Sequence, residues 1–173
     1  MGFDLYCQLL SDAVKKLRGT AVPRREESPV IDIPVEAYIP DAYVGDSNLK
    51  LSLYKKIARL KDEEEIEKMK EELRDRFGEL PAQVLNLLDV VALKILALKI
   101  GAPRLKSGDG TVRILLPWRD NIPSKALKAA EETEKCTALF KDHELLIKEI
   151  DFQKGGINSL KKVMRSIAKH LKD

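Results

Sequence analysis

The stretch GAPRLKSGDGTVRILLP, residues 101–117, decides the fold class. Leu105 and the run Val112–Leu116 flank Gly108-Asp109-Gly110, and glycine beside aspartate supplies the positive φ angles that a tight β-hairpin demands. Most of the chain before this point reads as helix, so one hairpin here turns an all-α expectation into a mixed one. Beyond it, Ser124–Glu134 reads as a short helix. Cys136–Phe140 and Leu145–Ile150 read as a second strand pair around Asp142-His143-Glu144, and Ile157–Lys172 as a closing helix. The expected class is α+β, predominantly helical with a few short antiparallel strands.

Upstream of the hairpin, a helix is expected from Asn48 to Lys61, capped by Ser47, with Leu49, Leu53, Tyr54, Ile57 and Leu60 inward. Asp62 followed by Glu65 is a capping-box variant that opens the next helix, which runs to Phe77 and stops at Gly78. Pro81 suits the first turn of a third helix, and Val84–Ile100 is apolar nearly all round. Asn86, Asp89, Lys94 and Lys99 interrupt that run. A charge at the centre of a membrane span costs roughly 2.5–3.5 kcal/mol, so a buried central helix is expected instead, and no membrane partner.

Before these helices, Ile31, Ile33, Val35, Ala37 and Ile39 alternate with Asp32, Pro34, Glu36 and Tyr38. This period of two indicates extended chain, and Pro34, which has no N–H for a ladder, restricts it to an edge strand or an arm. Thr20–Pro29 carries two prolines and mixed charge without period and reads as a linker. The first 19 residues read as an amphipathic helix behind Asp4, with Leu5, Leu9, Leu10, Ala13, Val14 and Leu17 on one face and Gly19 as its stop. The expected organisation is therefore a helix over 1–19, a linker over 20–29 and a domain over 30–173.

The chain has 173 residues, 44% hydrophobic and 34% charged, with 31 Lys+Arg against 28 Asp+Glu. That is a globular composition, and a net charge of +3 identifies neither a nucleic-acid nor a membrane binder. No internal repeat emerges. Cys7 and Cys136 are far apart with no neighbour at metal-ligand spacing, which argues against a disulfide scaffold or a zinc site and for a reducing cytoplasm. The opening residues lack the charged and apolar regions of a secretory signal. There is no GxxxxGK[ST] phosphate loop and no GxGxxG, and Gly155-Gly156 reads as a helix entry. His143 falls at a turn tip and His170 near a helix end. No catalytic residue, metal ligand or cofactor is assigned.

The charges are unevenly placed. Between Asp62 and Glu79 there are nine carboxylates and four cations. At 100° per residue, Ile66, Met69, Leu73 and Phe77 form one stripe, while Glu64, Glu71, Glu72 and Asp75 gather opposite. Such a face is either a solvated one, stitched by pairs such as Glu64–Lys68 and Glu72–Arg76, or a docking face for a basic partner. The last helix has the opposite sign: Lys161, Lys162, Arg165, Lys169 and Lys172 lie behind an apolar stripe of Ile157, Leu160, Val163, Met164, Ile167 and Leu171. It offers a nucleic-acid contact in principle, although it lacks interleaved aromatic residues.

Four ordered motifs carry a resemblance. GFDLYCQLL (2–10), VEAYIPDAYV (35–44), LKLSLYKKIARL (49–60) and RFGELP (76–81), together with the helix ending in Lys99-Ile100-Gly101, resemble the C-terminal end of bacterial transcription-repair coupling factors. The resemblance covers about the first 105 residues, and from Lys106 onward only the order of elements is similar. It implies a fragment of a large ATP-driven DNA translocase that removes stalled RNA polymerase and recruits the excision-repair sensor UvrA. Residues 1–19 would be the last helix of the motor. Residues 30–173 would be a non-catalytic terminal regulatory domain that folds over a UvrB-like module and hides its UvrA-binding surface. Glu72 and Asp75 occupy the two acidic positions before Arg76-Phe77-Gly78 where the family presents carboxylates outward, and with Glu71 they are the candidate contact to arginines of that module. The alternative is an adapter that touches DNA or RNA polymerase through Lys161, Lys162, Arg165 and Lys169.

Overall fold

The structure is a computed structural model and describes residues 28–171. The helix expected over residues 1–19 and nearly all of the linker lie outside the described residues, as does Lys172. The described chain falls into two compact units, residues 36–92 and residues 28–35 with 93–171.

The first unit begins as extended chain and holds two complete helices, α1 (Ser47–Ile57) and α2 (Glu63–Phe77), and the first part of α3 (Ala82–Ile100). Asp46, one residue before the expected cap, starts α1 by accepting the Leu49 N–H at 2.7 Å, because its carboxylate is the stronger acceptor. The helix stops at Ile57, four residues short of expectation, and Leu53, Tyr54 and Ile57 are its buried side chains. The Asp62 carboxylate accepts from Glu65 N at 2.8 Å, while the Glu65 carboxylate reaches back to Lys61 N at 2.7 Å. This is the capping box displaced by one residue at its second bond. Gly78 ends α2 at φ +84°, a backbone angle that favours glycine. Tyr54 pins the extended segment to α1, its hydroxyl accepting from Ile39 N at 2.8 Å. Ala37 and Ile39 are buried and Glu36 is exposed, so the period-two reading holds in this non-strand segment.

The second unit contains a five-stranded sheet in the order β1-β2-β3-β5-β4: β1 Val30–Asp32, β2 Arg104–Gly108, β3 Thr111–Leu115, β4 Thr137–Lys141 and β5 Glu144–Lys148. The expected hairpins are both present, and they join through β3 and β5 into one sheet. β1 is the edge strand foreseen from Pro34, but it ends at Asp32 and pairs parallel with β2, which the expectation of antiparallel strands had not included. Each hairpin turns in two residues, Asp109-Gly110 at φ +50° and +69° and Asp142-His143 at +53° and +62°. Both central residues of such a turn need positive φ, and the second hairpin achieves this without glycine.

One face of the sheet is buried through Ile31, Leu105, Val112, Ile114, Ala138, Leu145 and Ile147. Helices α4 (Ser124–Thr133) and α5 (Gly156–His170) pack on one another, and α4 also packs on β4. Ala126 and Ala130 of α4 and Ile157, Leu160, Val163, Met164 and Ile167 of α5 add to this core. Gly156 lies close to the preceding chain: a Cβ there would sit 2.6 Å from the backbone carbonyl of Asp151, so only glycine fits.

Candidate functional site: the acidic face of the second helix

The acidic face rests on an apolar one. Ile66, Met69 and Leu73 are buried, and the ring of Phe77, half-buried, lies 5.7 Å from that of Tyr43 with the Arg76 guanidinium 5.0 Å from its centroid. The Tyr43 hydroxyl is 3.0 Å from the Leu73 carbonyl, near the C-terminal end of α2, and 3.1 Å from that of its cap Gly78, and its one proton is shared between the two. Burial and the nearby Glu79 carboxylate push the Tyr43 phenol up from its ordinary value, so it stays protonated and a donor.

The structure separates the three candidate carboxylates. Glu72 is half-buried and held on two sides, by Lys56 from α1 and by Arg76 at 3.3 Å. The hydrogen bond from Lys56 is the larger cause, with Arg76 adding to it, and against a smaller effect of burial the carboxyl sits below its ordinary 4.5. Glu71 and Asp75 lie four residues apart on the exposed side and make no hydrogen bond or ion pair with another described residue. Glu64 pairs with Lys68 at 2.6 Å, Glu67 with Lys70 at 2.7 Å and Glu79 with Arg74 at 3.7 Å. The uncommitted charge of the face is concentrated at Glu71 and Asp75. Sequence reasoning had placed all three residues on one face; it missed the clamp from Lys56 and the support from Tyr43, since both arise from tertiary contacts. The second of the two tyrosines in VEAYIPDAYV, Tyr43, was the available signal for the second.

The four candidate cations of α5 fare differently. Lys161 is 8% exposed and belongs to the inner side of the helix, not to the basic face it was expected on. A lysine can bury its long stem and still bring its ammonium to a partner, and Lys161 has one. Lys162 is bonded to Glu134 at 2.7 Å, and Glu134 also accepts from the Ser159 hydroxyl at 3.0 Å. These two bonds, Lys162 first, lower the Glu134 carboxyl below its ordinary value. Arg165 and Lys169 are exposed, and Arg165 has a partner of its own. The helix therefore does not gather its cations into one free stripe.

Among the described residues no group of three or more His, Cys, Asp or Glu is placed to hold a metal ion. Cys136 is buried and reduced, and burial, then Glu131, Glu149 and Glu134, push its thiol up, away from the reactive thiolate. His143 and His170 each turn Nδ1 to a carbonyl, that of Arg119 at 2.7 Å and that of Ser166 at 2.8 Å. No helix among the described residues is long and apolar enough to cross a membrane.

Fold and surface thus define an α+β module with a helix-borne acidic face. The family model of the TRCF domain matches residues 33–127, more than half of the chain, and the chain belongs to that family. It is 34% identical over 147 residues to the transcription-repair-coupling factor of Rickettsia typhi, covering 84% of this chain and 13% of that protein. To the transcription-repair-coupling factor of Staphylococcus aureus (strain USA300) it is 30% identical over 176 residues, covering 99% of this chain and 15% of that protein. The chain therefore spans only 13 to 15% of the length of these curated relatives. A crystal structure of the C-terminal domain of transcription-repair coupling factor shares the fold, with a TM-score of 0.69, 24% identity, and coverage of 82% of this chain and 92% of that one. Similarity to the Staphylococcus aureus protein continues well past Lys106, where motifs alone had become too sparse to follow.

Proposed function

We propose that this domain is a non-catalytic regulatory cover within a transcription-repair coupling factor, docking on a UvrB-like module of the same protein and masking that module's UvrA-binding surface. The supporting observation is the pair Glu71 and Asp75, exposed and uncommitted on a helix whose other acidic residues of that face, Glu64 and Glu72, are already paired. A partner arginine gains most from a carboxylate that gives up no internal ion pair to receive it. Glu72 serves the same face from within, holding α2 to α1 through Lys56 and fixing the orientation of its neighbours. The larger protein is read as an ATP-driven DNA translocase that binds DNA, RNA polymerase and UvrA and couples stalled transcription to excision repair.

The test is charge reversal in the full-length protein. Glu71→Lys/Asp75→Lys, and separately Glu72→Lys/Asp75→Lys, should expose the masked surface and raise affinity for UvrA at least tenfold, about 1.4 kcal/mol. Unchanged UvrA affinity in both variants, with the domain still folded, would reject the reading. The adapter reading through α5 draws no support from side chains that are buried at Lys161 and paired at Lys162.

A further inference from the structure

The first unit holds a cleft between α1 and α2, about 380 Å³ in volume, beside the acidic face. Its apolar lining is Leu60, half-buried just past the end of α1, and the edge of the buried Met69 of α2. Two bonds tie its sides together. Lys56 reaches across from α1 to Glu72, and the Glu65 carboxylate of α2 accepts the Lys61 N–H at 2.7 Å. Past α1 the chain continues in tight turns, Arg59 N donating to the Lys56 carbonyl at 3.1 Å and Leu60 N to that of Ile57 at 3.3 Å, so both side chains stand on a braced backbone.

Besides Glu65, four charged groups border the cleft, and three of them are already paired. Lys56 and Glu72 hold one another, and Lys68 is bonded to Glu64 at 2.6 Å. Arg59 is exposed and makes no ion pair with another described residue. The C-terminal carbonyls of α1 favour a cation there, so it stands without one. Lys55, exposed four residues earlier, is likewise in no ion pair with a described residue. On the other bank, Glu71 and Asp75 stand three and seven residues beyond Lys68, the spacing that keeps side chains on one side of a helix. Across this surface the uncommitted charge runs from positive at Arg59, over an apolar cleft, to negative at Glu71 and Asp75.

We infer that the docking face is two-signed: the protein surface it receives inserts an apolar side chain into the cleft, sets a carboxylate on Arg59 and places arginine on Glu71 and Asp75. This rests on the docking reading of the acidic face and names what else the UvrB-like module presents to it. Carboxylates alone would attract a basic surface in many orientations. Opposite charges on the two banks fix one of them, because a reversed partner would set like charges together. The cleft supplies what rim charges cannot, since exposed ion pairs contribute little and an apolar side chain placed against Leu60 and Met69 leaves water altogether. A nucleic-acid backbone would satisfy Arg59 and Lys55, but Glu71 and Asp75 would repel its phosphates and it has no aliphatic side chain for the cleft.

The experiment measures the UvrA affinity of the full-length coupling factor, in which opening of the cover reads as tighter binding. Arg59→Glu and Leu60→Gln should each raise that affinity about threefold, and together about tenfold. Arg59→Gln should fall between wild type and Arg59→Glu. Lys99→Glu, at an exposed cation of the second unit, should change nothing, which separates a contact from an effect of net charge. Arg59 and Leu60 lie outside the core, and a melting temperature like that of wild type confirms the fold of each variant. Glu71→Lys/Asp75→Lys runs beside them. If that variant raises UvrA affinity while Arg59→Glu/Leu60→Gln does not, the cover reading stands and the two-signed face is overturned. If none of the variants raises it, both fail. Loss of DNA affinity in Arg59→Glu with unchanged UvrA affinity would assign this cation to phosphates and overturn the inference as well.

Discussion

Helices α2 and α5 are near mirror images on paper: each is 15 residues long, with an apolar stripe on one side and charges of one dominant sign on the other. In the folded chain they diverge. The acidic helix leaves Glu71 and Asp75 uncommitted, whereas the basic helix has Lys161 buried and Lys162 held by Glu134. A helical wheel counts charge, but what another molecule meets is charge that the neighbouring elements have not already used. The reading of α2 as a docking face and of α5 as a scaffold follows from that difference.

The comparison can be broken most forcefully at the stripes. Leu73 is 1% exposed beneath the acidic face, and Leu73→Ala should destabilise the protein by about 3 kcal/mol in urea unfolding. If α2 is the docking element, the same variant also loses its partner under conditions where it remains folded, while the matched Leu160→Ala in α5 costs similar stability and spares docking. At the start of α5, Gly156→Ala should cost about 2 kcal/mol, because the new methyl meets the Asp151 backbone, which is not a flexible side-chain end. A melting temperature within one degree of wild type would show that this helix entry is looser than described. Tyr43→Phe removes only the hydroxyl that closes the end of α2, and should cost about 1 kcal/mol.

The smallest effect is a matter of acid. Glu72 and Glu134 both titrate below their ordinary 4.5 in the folded chain. Their ion pairs therefore contribute stability that is complete above that value and is lost as pH falls through the lowered folded values. Lys56→Met and Lys162→Met should each reduce stability by about 0.5 kcal/mol near pH 6 and make no difference near pH 2, where the wild-type carboxylates are protonated as well. Equal losses at both pH values would assign these lysines a packing role instead.

Much of this was legible in advance where the determining interaction is local. Asp62, Glu65 and Gly78 set the ends of α2 within one turn of chain, and Asp109-Gly110 sets the first hairpin in two residues. The second hairpin was found from its flanking strands, although nothing in Asp142-His143 announces positive φ; the hydrogen bonds of His143 to the Leu116–Arg119 turn come from a segment 24 residues away. The parallel pairing of β1 with β2 joins Val30 to Arg104 across more than 70 residues, and no periodicity within either strand encodes it. The same limit applied to the site. Spacing put Glu71, Glu72 and Asp75 together, but Lys56, which distinguishes the middle one, approaches from another helix. Lys161 was misplaced because it sits at the border of the apolar stripe, where a turn of a few degrees decides between solvent and core.

The measurement that bears most directly on the central claim is a calorimetric titration of this chain against the isolated UvrB-like module, at near-physiological salt, with two charge-reversed variants beside the wild type. The account predicts that wild type binds, that Glu71→Lys/Asp75→Lys abolishes the heat, and that Lys162→Glu/Lys169→Glu leaves it unchanged. Binding that survives reversal of the two carboxylates, or that is lost only with the lysines of α5, would contradict it.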